Sequence, residues 1–472
     1  MSSAAILHIT SLPGGGVDRH VRDIAADSPR RHLVWHTGPG ADVIEIAGAK
    51  RYLPLDSTAL DRDPKALANW MRNESVGLVH AHSVNPSVRA RASWAANASR
   101  VRTIVTLHDL LFLRRDNIDL LACREPEPSW LAQTAPFLRE AAAVLAPSDY
   151  IAQAARAYIA GLEVSVVPNG IAPMRERPAT ARPAFTAYPP RRVVAVVGAI
   201  GPHKGSELLV ELDALLEDSD IAIVVIGYVD RQIIPGWMGD HVYVHGAYNE
   251  NEVAGLLRAY RAELALFPNP VPEAFSYTLS EVWAAGLPVL VPPDGALGER
   301  VSRHGGGWLL PAGFDAAAIE ASMRRLLADA AELARVKSRL ALADDARVPT
   351  LDAMTRSLDA LYARYGLSPG PVDAESAQVQ ELLATNLDAT LFRAELARVA
   401  DELARTQTEA RGWIAKLEAD IASLQATLTA EVEERRALGQ ENVQLAIHKR
   451  AFDLLPGIIR KMLLKKILDA RS

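Results

Sequence analysis

Cysteine is nearly absent from this sequence, because Cys123 is the only one among 472 residues. A single cysteine excludes an internal disulfide framework, and without cysteine clusters a structural zinc site is not expected. Nothing beside Cys123 indicates a nucleophile. No segment reaches the roughly 18 uninterrupted apolar residues of a membrane span. Residues 1–10 lack a positively charged start and enter a strand directly, so no signal peptide is expected. These absences predict a protein of the reducing cytoplasm.

A strong charge of either sign is also missing, since the formal net charge is -6 over the whole length. This balance gives no reason to expect nucleic acid as a partner. The hydrophobic fraction of 49% and the charged fraction of 23% are typical of a soluble protein with real cores. The length alone indicates about three structural units.

The most informative stretch covers residues 272–291, in which Glu273 and Glu281 stand eight residues apart. It predicts a loop, a short helix ended by a Gly-x-Pro segment, and a β-branched strand. If the helix begins near Ser276 or Tyr277, its free N–H groups point toward the loop that holds Glu273. An anion could dock there, with a carboxylate on either side to bind hydroxyls. The alternative is an ordinary αβ unit whose glutamates are merely solvated.

Strands and helices alternate through the first 172 residues, which predicts a mostly parallel sheet covered on both faces. Gly14, Gly15 and Gly16 lie between the first strand and the first helix. Glycines at such a turn let the backbone approach a phosphate, and the helix N-terminus adds a favourable dipole. The spacing is not G-x-G-x-x-G, so a nicotinamide site is a weak alternative. A tight turn that binds no ligand is the second alternative.

Histidines follow or end two of the predicted strands, at the edge where parallel sheets bind ligands. His108 comes just after the strand that ends at Thr106, and it predicts either a hydrogen bond to a bound sugar or leaving group, or a structural role. His80 and His82 are interpreted as pointing to opposite faces of their strand. On that interpretation they cannot chelate one metal ion, and we expect them to be structural.

A segment rich in proline and arginine, residues 173–191, has no periodicity and predicts an interdomain linker. A second doubly wound pattern begins at Arg192. Lys204 lies where its first strand passes into a helix, so the ammonium group can neutralise phosphate oxygens. Two such domains in series predict a cleft between them.

Residues 4 to about 365 resemble a retaining glycosyltransferase of family 4, with the two-domain GT-B fold. The resemblance rests on four motifs in order, namely GGGVDRH at 14–20, TLHD at 106–109, residues 198–205 with Lys204, and E-x7-E at 273–281 followed by AGLPV. The last is the most specific. The resemblance implies an α/β fold of two Rossmann-like domains facing a cleft, with an acceptor domain at 1–172, a donor domain at 192–347 and a crossover helix at 348–366.

The same resemblance implies roles for individual residues. Glu273 would hold hydroxyls of the transferred sugar, Glu281 those of the ribose, and His108 would contact the transferred sugar. Gly15 and Gly16 would approach the donor diphosphate or the acceptor. Lys204 and the N–H groups near Ser276 and Tyr277 would bind the diphosphate. The implied catalytic residues are His108, Lys204 and Glu273. The implied donor-binding residues are Gly15, Gly16, Lys204, Phe275, Ser276, Tyr277 and Glu281.

Two departures from the family pattern bear on catalysis. Relatives usually carry an arginine directly after the glycine of the first donor-domain strand, and this chain has Ala199. Either Arg19, His203 or Arg300 supplies a second cation, or turnover is slow. The family pattern also has glycine more often where this chain has Ser276.

No metal or other cofactor is expected, because a lysine and a helix dipole can stabilise a departing nucleoside diphosphate. The family is thought to retain anomeric configuration by attack on the face that the leaving group departs from. Two D-x-D sequences, at 61–63 and 218–220, imitate a metal-binding motif. Their positions beside predicted turns favour solvated carboxylates.

The composition changes after the Pro-Gly-Pro segment near residue 370. A linker is predicted at 367–378, and the heptad pattern that follows it at 379–447 predicts a dimeric coiled coil. The alternative is a long helix folded back on the core. Residues 448–472 form a basic amphipathic tail that could lie on an anionic membrane, where lipid-linked acceptors are found. A partner-binding or merely basic tail is the alternative.

The sequence therefore predicts an enzyme that transfers a hexose or deoxyhexose from a nucleotide sugar to a glycan or lipid-linked acceptor, in surface polysaccharide biosynthesis. It would be cytoplasmic, with peripheral attachment to the inner face of the membrane as an option, and no nucleic acid as a partner. The second hypothesis is a catalytically weak scaffold that assembles a polysaccharide-synthesis complex through its coiled coil. A sugar epimerase of the same fold is the third.

Overall fold

The computed structural model describes residues 4–11, 14–37, 41–46, 51–56, 64–115, 120, 125–173, 177–186, 192–342, 344 and 346–365. The chain divides into two compact units, residues 1–387 and 388–472, and the described residues all belong to the first. The predicted linker at 367–378, coiled coil at 379–447 and basic tail at 448–472 lie outside the described residues, as do Cys123 and the D-x-D sequence at 61–63.

The first domain is built on an eight-stranded sheet with the strand order β4-β3-β2-β1-β5-β6-β7-β8. All six residues of β1 are buried, as expected for a central parallel strand covered on both faces. The strands are β1 Ala5–Thr10, β2 Arg31–His36, β3 Ala41–Ile46, β4 Arg51–Asp56, β5 Val76–Ala81, β6 Arg102–Thr106, β7 Ala143–Ala146 and β8 Ser165–Val166.

The outer hairpin of β3 and β4 is antiparallel, which the alternation of strands and helices in the sequence does not predict. Pro54 lies in β4, opposite Val43. A proline removes one ladder donor, which is why strands that carry one stand at the edge of a sheet. The proline weakens the strand signal in the sequence, and the edge position of β4 explains how the sheet accommodates it.

Helices cover both faces of this sheet, as the alternation of strands and helices predicts. Two of them begin with side-chain caps, since Asn85 accepts from the Val88 N–H and Ser148 from the Ile151 N–H. The helices are α1 Gly15–Asp27, α2 Pro64–Asn73, α3 Pro86–Ser99, α4 Pro128–Glu140 and α5 Asp149–Tyr158.

The second domain has a seven-stranded sheet with the order β11-β12-β10-β9-β13-β14-β15, parallel except where β11 pairs with β12. Its strands are β9 Arg192–Ile200, β10 Ile221–Val229, β11 Gly236–Trp237, β12 Val242–Gly246, β13 Ala262–Leu266, β14 Val289–Val291 and β15 Gly307–Leu309. Together the two sheets and their helices form the α/β architecture of a GT-B fold.

The predicted linker at 173–191 contains a short helix, α6 Pro183–Thr186, that the sequence analysis did not predict. Its Phe185 ring packs against Trp237, Tyr243 and Tyr260 at centroid distances of 5.0 to 5.6 Å. This part of the segment is therefore attached to the second domain. Four helical residues are too few to show periodicity in the sequence. Ala179 and Ala181 pack against the same cluster as Phe185.

The remaining helices belong to the second domain, apart from the last, which returns to the first. They are α7 Ser206–Leu215, α8 Val253–Ala259, α9 Tyr277–Ala284, α10 Gly295–His304, α11 Ala316–Ala328, α12 Ala330–Leu340 and α13 Leu351–Arg364. None of the described helices is both long and apolar enough to cross a membrane.

Helix α13 packs against the first sheet, where Met354, Leu358 and Tyr362 join a cluster with Ile6 and Ile24, among others. The chain leaves the first domain and returns to it at adjacent points. Ile171 forms a β-bridge with Thr350, and a side chain at Gly170 would meet the Thr350 carbonyl oxygen at 2.1 Å. Only glycine allows the two backbones to run this close together.

Candidate active site

The loop that precedes α9 has a conformation that L side chains rarely adopt. Ser276 has a φ of +70°, and its Oγ accepts a hydrogen bond of 3.3 Å from the Leu279 N–H as the N-cap of the helix. The prediction that this helix begins near Ser276 or Tyr277 is confirmed. A positive φ on a residue other than glycine costs free energy, and such positions cluster at functional sites.

Arg300, on α10, holds this loop from behind. Its guanidinium group donates to the Phe275 carbonyl at 3.0 Å, the Ser276 carbonyl at 3.1 Å and the Ser280 hydroxyl at 2.8 Å. It also donates to the Arg347 carbonyl at 2.9 Å. Burial lowers the pKa of Arg300 to about 9. Because its donors are committed to these oxygens, Arg300 does not face a ligand, and its suggested role as a second diphosphate cation is wrong.

The Phe275 side chain lies beneath the same guanidinium group, whose central carbon is 4.2 Å from the ring centroid. It is 4% exposed. The ring therefore belongs to the support of the loop, as does the Phe275 carbonyl, which accepts from Arg300.

Glu281 is buried inside α9 and forms an ion pair with Arg19 of α1, which belongs to the first domain. Burial raises the pKa of Glu281, against the opposing effect of Arg19. Arg19 also lies 3.5 Å from Asp23 and 3.4 Å from Glu250. Its guanidinium carbon stands 4.4 Å above the Tyr277 ring centroid. One arginine of the first domain thus contacts three carboxylates and the first residue of α9.

The glycine turn lies next to the same helix start. Gly14 and Gly15 have φ angles of +110° and +72°, and α1 begins at Gly15. A Cβ atom at Gly16 would lie 3.6 Å from the Tyr277 ring, which places this glycine beside α9. The structure therefore brings the first predicted motif and the E-x7-E motif together.

Lys204 and Glu273 form a second charged pair of predicted site residues, with 3.3 Å between Nζ and Oε1. The Asn269 amide also donates to Glu273 Oε1, at 2.9 Å. Lys204 ends a short 3₁₀ turn between β9 and α7, and Gly205 follows it with a φ of +88°. Both charged side chains keep part of their surface exposed, so they can reach a ligand.

Ala199 is exposed near the end of β9. His203 lies beside Lys204, and burial, followed by the Lys204 charge, lowers the pKa of its imidazole. At neutral pH it is therefore a weak candidate for a second cation. Asp218 and Asp220 lie exposed in the turn after α7, which agrees with the prediction of solvated carboxylates.

His108 belongs to a buried cluster of histidines that the sequence analysis did not find. Its Nε2 is 3.1 Å from Nδ1 of His82, and Nε2 of His82 is 2.8 Å from Nδ1 of His8. His8 continues to His32, with 2.8 Å between Nε2 and Nδ1. The His20 ring stands edge-on to His108, with the ring centroids 4.7 Å apart.

The interpretation that His80 and His82 point to opposite faces is wrong. Their ring centroids are 4.1 Å apart, on the face of β5 that also carries the rest of the cluster. Side chains alternate along a strand with a period of two, so residues two apart share a face. His80 is held by the Tyr362 hydroxyl at 2.8 Å and the Thr106 hydroxyl at 2.7 Å. The His-x-His spacing was the available signal.

Burial keeps these imidazoles neutral. It lowers the pKa of His80 and of His108 to about 3 and that of His32 to about 4, and it lowers the pKa of His82 well below its usual range. Asp109 responds in the opposite direction, because burial raises its pKa to about 6. Both His108 and Asp109 keep part of their surface exposed although protein atoms surround them closely.

Two sequence families match consecutive parts of the chain. The family described as Glycosyltransferase Family 4 matches residues 14–175, and the one described as Glycosyl transferases group 1 matches residues 179–344. Together they cover more than half of the chain, one on each sheet. The chain therefore belongs to the glycosyltransferases with the GT-B fold.

Similar proteins are distant in sequence. The chain is 23% identical to a phosphatidyl-myo-inositol mannosyltransferase of Mycobacterium leprae over 67% of this chain and 84% of the relative. It is 30% identical to an MMP alpha-(1->4)-mannosyltransferase of Mycolicibacterium hassiacum over 31% of this chain and 36% of the relative. The Anabaena protein HepE, solved in complex with UDP and glucose, superimposes with a TM-score of 0.56 and 16% identity, over 76% of this chain and 100% of HepE.

Proposed function

We propose that this chain is a retaining, metal-independent glycosyltransferase that moves a hexose or deoxyhexose from a nucleotide sugar to a glycan or lipid-linked acceptor, in surface polysaccharide biosynthesis. The observation that carries the proposal is the partly exposed pair of Lys204 and Glu273. A cation and a carboxylate this close together can bind the two halves of one donor, with the ammonium on the diphosphate and the carboxylate on sugar hydroxyls.

The leaving group would be stabilised by Lys204 and by the N-terminus of α9. The first N–H groups of that helix have no backbone partner within the helix, and only that of Leu279 is taken by the Ser276 hydroxyl, so the others could bind phosphate oxygens. The N–H groups of Ser276 and Tyr277 would contribute, with Gly15 and Gly16 beside Tyr277 and the Phe275 backbone next to Ser276. Charge stabilisation of this kind requires no metal ion at the diphosphate.

Arg19 would supply the second cation that Ala199 does not. Its guanidinium group already lies over Tyr277, at the start of α9, and it is bound to Glu281. If Glu281 binds the ribose, the donor must displace Arg19 from this carboxylate. The freed guanidinium group then has the diphosphate as its nearest new anion. After donor binding Arg19 would be paired with the diphosphate and Glu281 would accept hydrogen bonds from the ribose hydroxyls, so neither charged group is left without a partner.

Mannose is the first sugar to test, because two relatives are mannosyltransferases by name. The name of one of them also includes phosphatidyl-myo-inositol, which supports a lipid-linked acceptor as the first acceptor class to test. UDP and glucose bound to HepE support a nucleoside diphosphate as the leaving group. His108 and Glu273 would contact the transferred sugar.

Transfer from a panel of nucleotide sugars to glycan and lipid-linked acceptors tests the proposal. Glu273→Ala and Lys204→Ala should abolish donor hydrolysis and transfer, while the far-ultraviolet circular dichroism stays that of the parent protein. Glu211→Ala, on the exposed side of α7, is the matched control and should keep full activity. Unchanged turnover in the Glu273 or Lys204 variant would contradict the proposal.

A second candidate function is a catalytically weak scaffold that assembles a polysaccharide-synthesis complex. The exposed Ala199, where a diphosphate cation would be expected, favours it. Calorimetric titration with nucleotide sugars separates the two candidates, because a scaffold should bind none of them. An enzyme should bind at least one, and should lose that binding with Lys204→Ala.

The segments outside the described residues add two proposals about assembly. The heptads at 379–447 support a homodimer, and the basic tail at 448–472 supports attachment to an anionic membrane. Deletion of 448–472 should release the protein from vesicles that contain anionic lipid. Undiminished cosedimentation of the shortened chain would refute the membrane proposal.

A further inference from the structure

Three histidines at the edge of the first sheet form a group that fits a metal ion. His20 comes from α1, His82 follows β5 and His108 follows β6. One nitrogen of each lies within 4.8 Å of the others. Neutral imidazole is the form that ligates metals, and burial holds all three rings in that form.

The distance between two of the three rings agrees with shared coordination. Nδ1 of His82 and Nε2 of His108 are 3.1 Å apart. Two nitrogens at about 2.0–2.1 Å from one tetrahedral ion lie about 3.3 Å from each other, so a small outward movement makes room for the ion. The two nitrogens thus form a hydrogen bond without the ion and can form two of its ligands with it.

The third ligand is present and unused. The His20 ring is 2% exposed, and its Nε2 finds no hydrogen-bond partner among the residues that the structure describes. Its other nitrogen lies 3.4 Å from the Tyr277 hydroxyl. A buried polar atom without a partner costs free energy, and a metal ion at the centre of the three rings would remove that cost.

A second group, His8, His80 and His82, is also compact enough for an ion, but its nitrogens are already engaged. Both nitrogens of His80 bond to hydroxyls, those of Tyr362 and Thr106. Both nitrogens of His8 bond to other histidines. An ion there would have to break several buried hydrogen bonds, whereas an ion between His20, His82 and His108 breaks one.

We propose that His20, His82 and His108 form a binding site for a transition-metal ion that prefers imidazole ligands, such as Zn²⁺. His108 is the partly exposed member of the three, so a water molecule or substrate oxygen would complete the coordination from its side. The bound ion would fix the His108 ring. The ion would therefore inhibit sugar transfer. This inhibition rests on the proposed function, whereas metal binding does not.

Metal binding is tested on the full chain without an affinity tag, after treatment with EDTA and in reducing buffer. Zn²⁺ is titrated against a chromogenic chelator, and Co²⁺ is added in a parallel experiment as a visible-absorption probe of the coordination. We expect one site per chain, and His20→Gln and His82→Gln should each weaken it at least about 10-fold. Thermal melting without metal shows whether each variant is folded.

His80→Gln is the matched control, because His80 belongs to the same cluster but not to the proposed ligands. It should bind Zn²⁺ as the parent protein does. Absence of a stoichiometric site, binding unaffected by His20→Gln, or an equal loss in His80→Gln and His20→Gln would each overturn the proposal.

An activity measurement separates this site from the proposed function. Stoichiometric Zn²⁺ should inhibit transfer by the parent protein but not by His20→Gln. Binding without inhibition would leave the metal site in place and would count against a contact between His108 and the sugar. Failure of the chain to transfer any sugar would leave the binding titration as the test of the site.

Discussion

Arg19 and Glu281 form an ion pair across the two domains, although they lie 262 residues apart in the sequence. The contact joins the helix that follows the glycine turn to the helix of the E-x7-E motif. A buried carboxylate and a buried guanidinium group stabilise each other only while both are present. If Glu281 binds the ribose as proposed, this pair must open when a donor binds.

Arg19→Ala should lower kcat/KM about 10- to 100-fold, because a charge-assisted hydrogen bond to the diphosphate is worth about 1.5–3 kcal/mol. The loss should appear in the affinity for the nucleoside diphosphate. The monophosphate, whose ribose no longer has to displace Arg19 from Glu281, should bind no more weakly than it does to the parent protein. Ala199→Arg in the same chain should restore most of the activity by returning a cation to the end of β9. Equal losses for both nucleotides, or no rescue by Ala199→Arg, would show that Arg19 only holds the domains together.

Arg300→Met should destabilise the protein by about 2–4 kcal/mol, since it leaves the Phe275 and Ser276 carbonyls without their buried donor. Donor affinity should also fall, because the loop before α9 loses its support. Urea unfolding and donor titration measure the two effects. Arg303→Met, on the same helix but 54% exposed, is the control and should cost less than about 1 kcal/mol.

The positive φ of Ser276 can be tested by comparing two replacements. Both Ser276→Gly and Ser276→Ala lose the N-cap hydroxyl, but only glycine relieves the backbone. The same pair of replacements at Ser148, an N-cap with a φ of −148°, measures the ordinary preference for glycine at a cap. In urea unfolding, the advantage of glycine over alanine should be about 1 kcal/mol larger at Ser276 than at Ser148. An equal advantage at both sites would mean that the loop stores no strain.

Acid should destabilise the protein before its carboxylates titrate. Burial lowers the pKa of His32 to about 4 and that of His80 and His108 to about 3. The unfolded chain takes up these protons from about pH 6.5 downward and the folded chain does not, so stability is highest above that pH and falls toward pH 4. Asp109, whose raised pKa is about 6, opposes part of the change.

Between pH 6.5 and 5.5 these three histidines, less the opposing effect of Asp109, contribute a loss of about 2 kcal/mol in the free energy of unfolding, measured by urea denaturation in EDTA. His8, His20 and His82, whose pKa values burial also lowers, add to this loss. His32→Gln removes one of the three histidines and should reduce this loss by about 1 kcal/mol. A free energy of unfolding that stays constant over this range would mean that the cluster takes up protons while folded.

The parts of the site that could be predicted from the sequence are those whose geometry is local. The start of α9 at Tyr277, the turn at Gly15 and the position of Lys204 between a strand and a helix all depend on residues within one turn of each other. Helix caps and strand ends are determined by short-range hydrogen bonds and by glycine, so a single sequence is enough to place them.

The pairing of His80 and His82 was within reach of the sequence as well. The pleat of a strand places residues two apart on the same face. The His-x-His spacing of His80 and His82 therefore indicates a pair of neighbouring histidines. The neighbours from other elements, His8, His20 and His108, could not be derived in this way. They meet through the registers of β1 and β6 with β5 and through the packing of α1.

The sequence by itself determined that this chain has two doubly wound domains with glycine turns, a lysine and an E-x7-E helix at their ligand edges, because periodicity and turn chemistry are local. Tertiary structure decided which charges meet. Arg19 pairs with Glu281, Arg300 donates to the carbonyls of the loop before α9, and the histidines lie buried beside one another. These contacts depend on the packing of distant helices and strands, which no local pattern encodes.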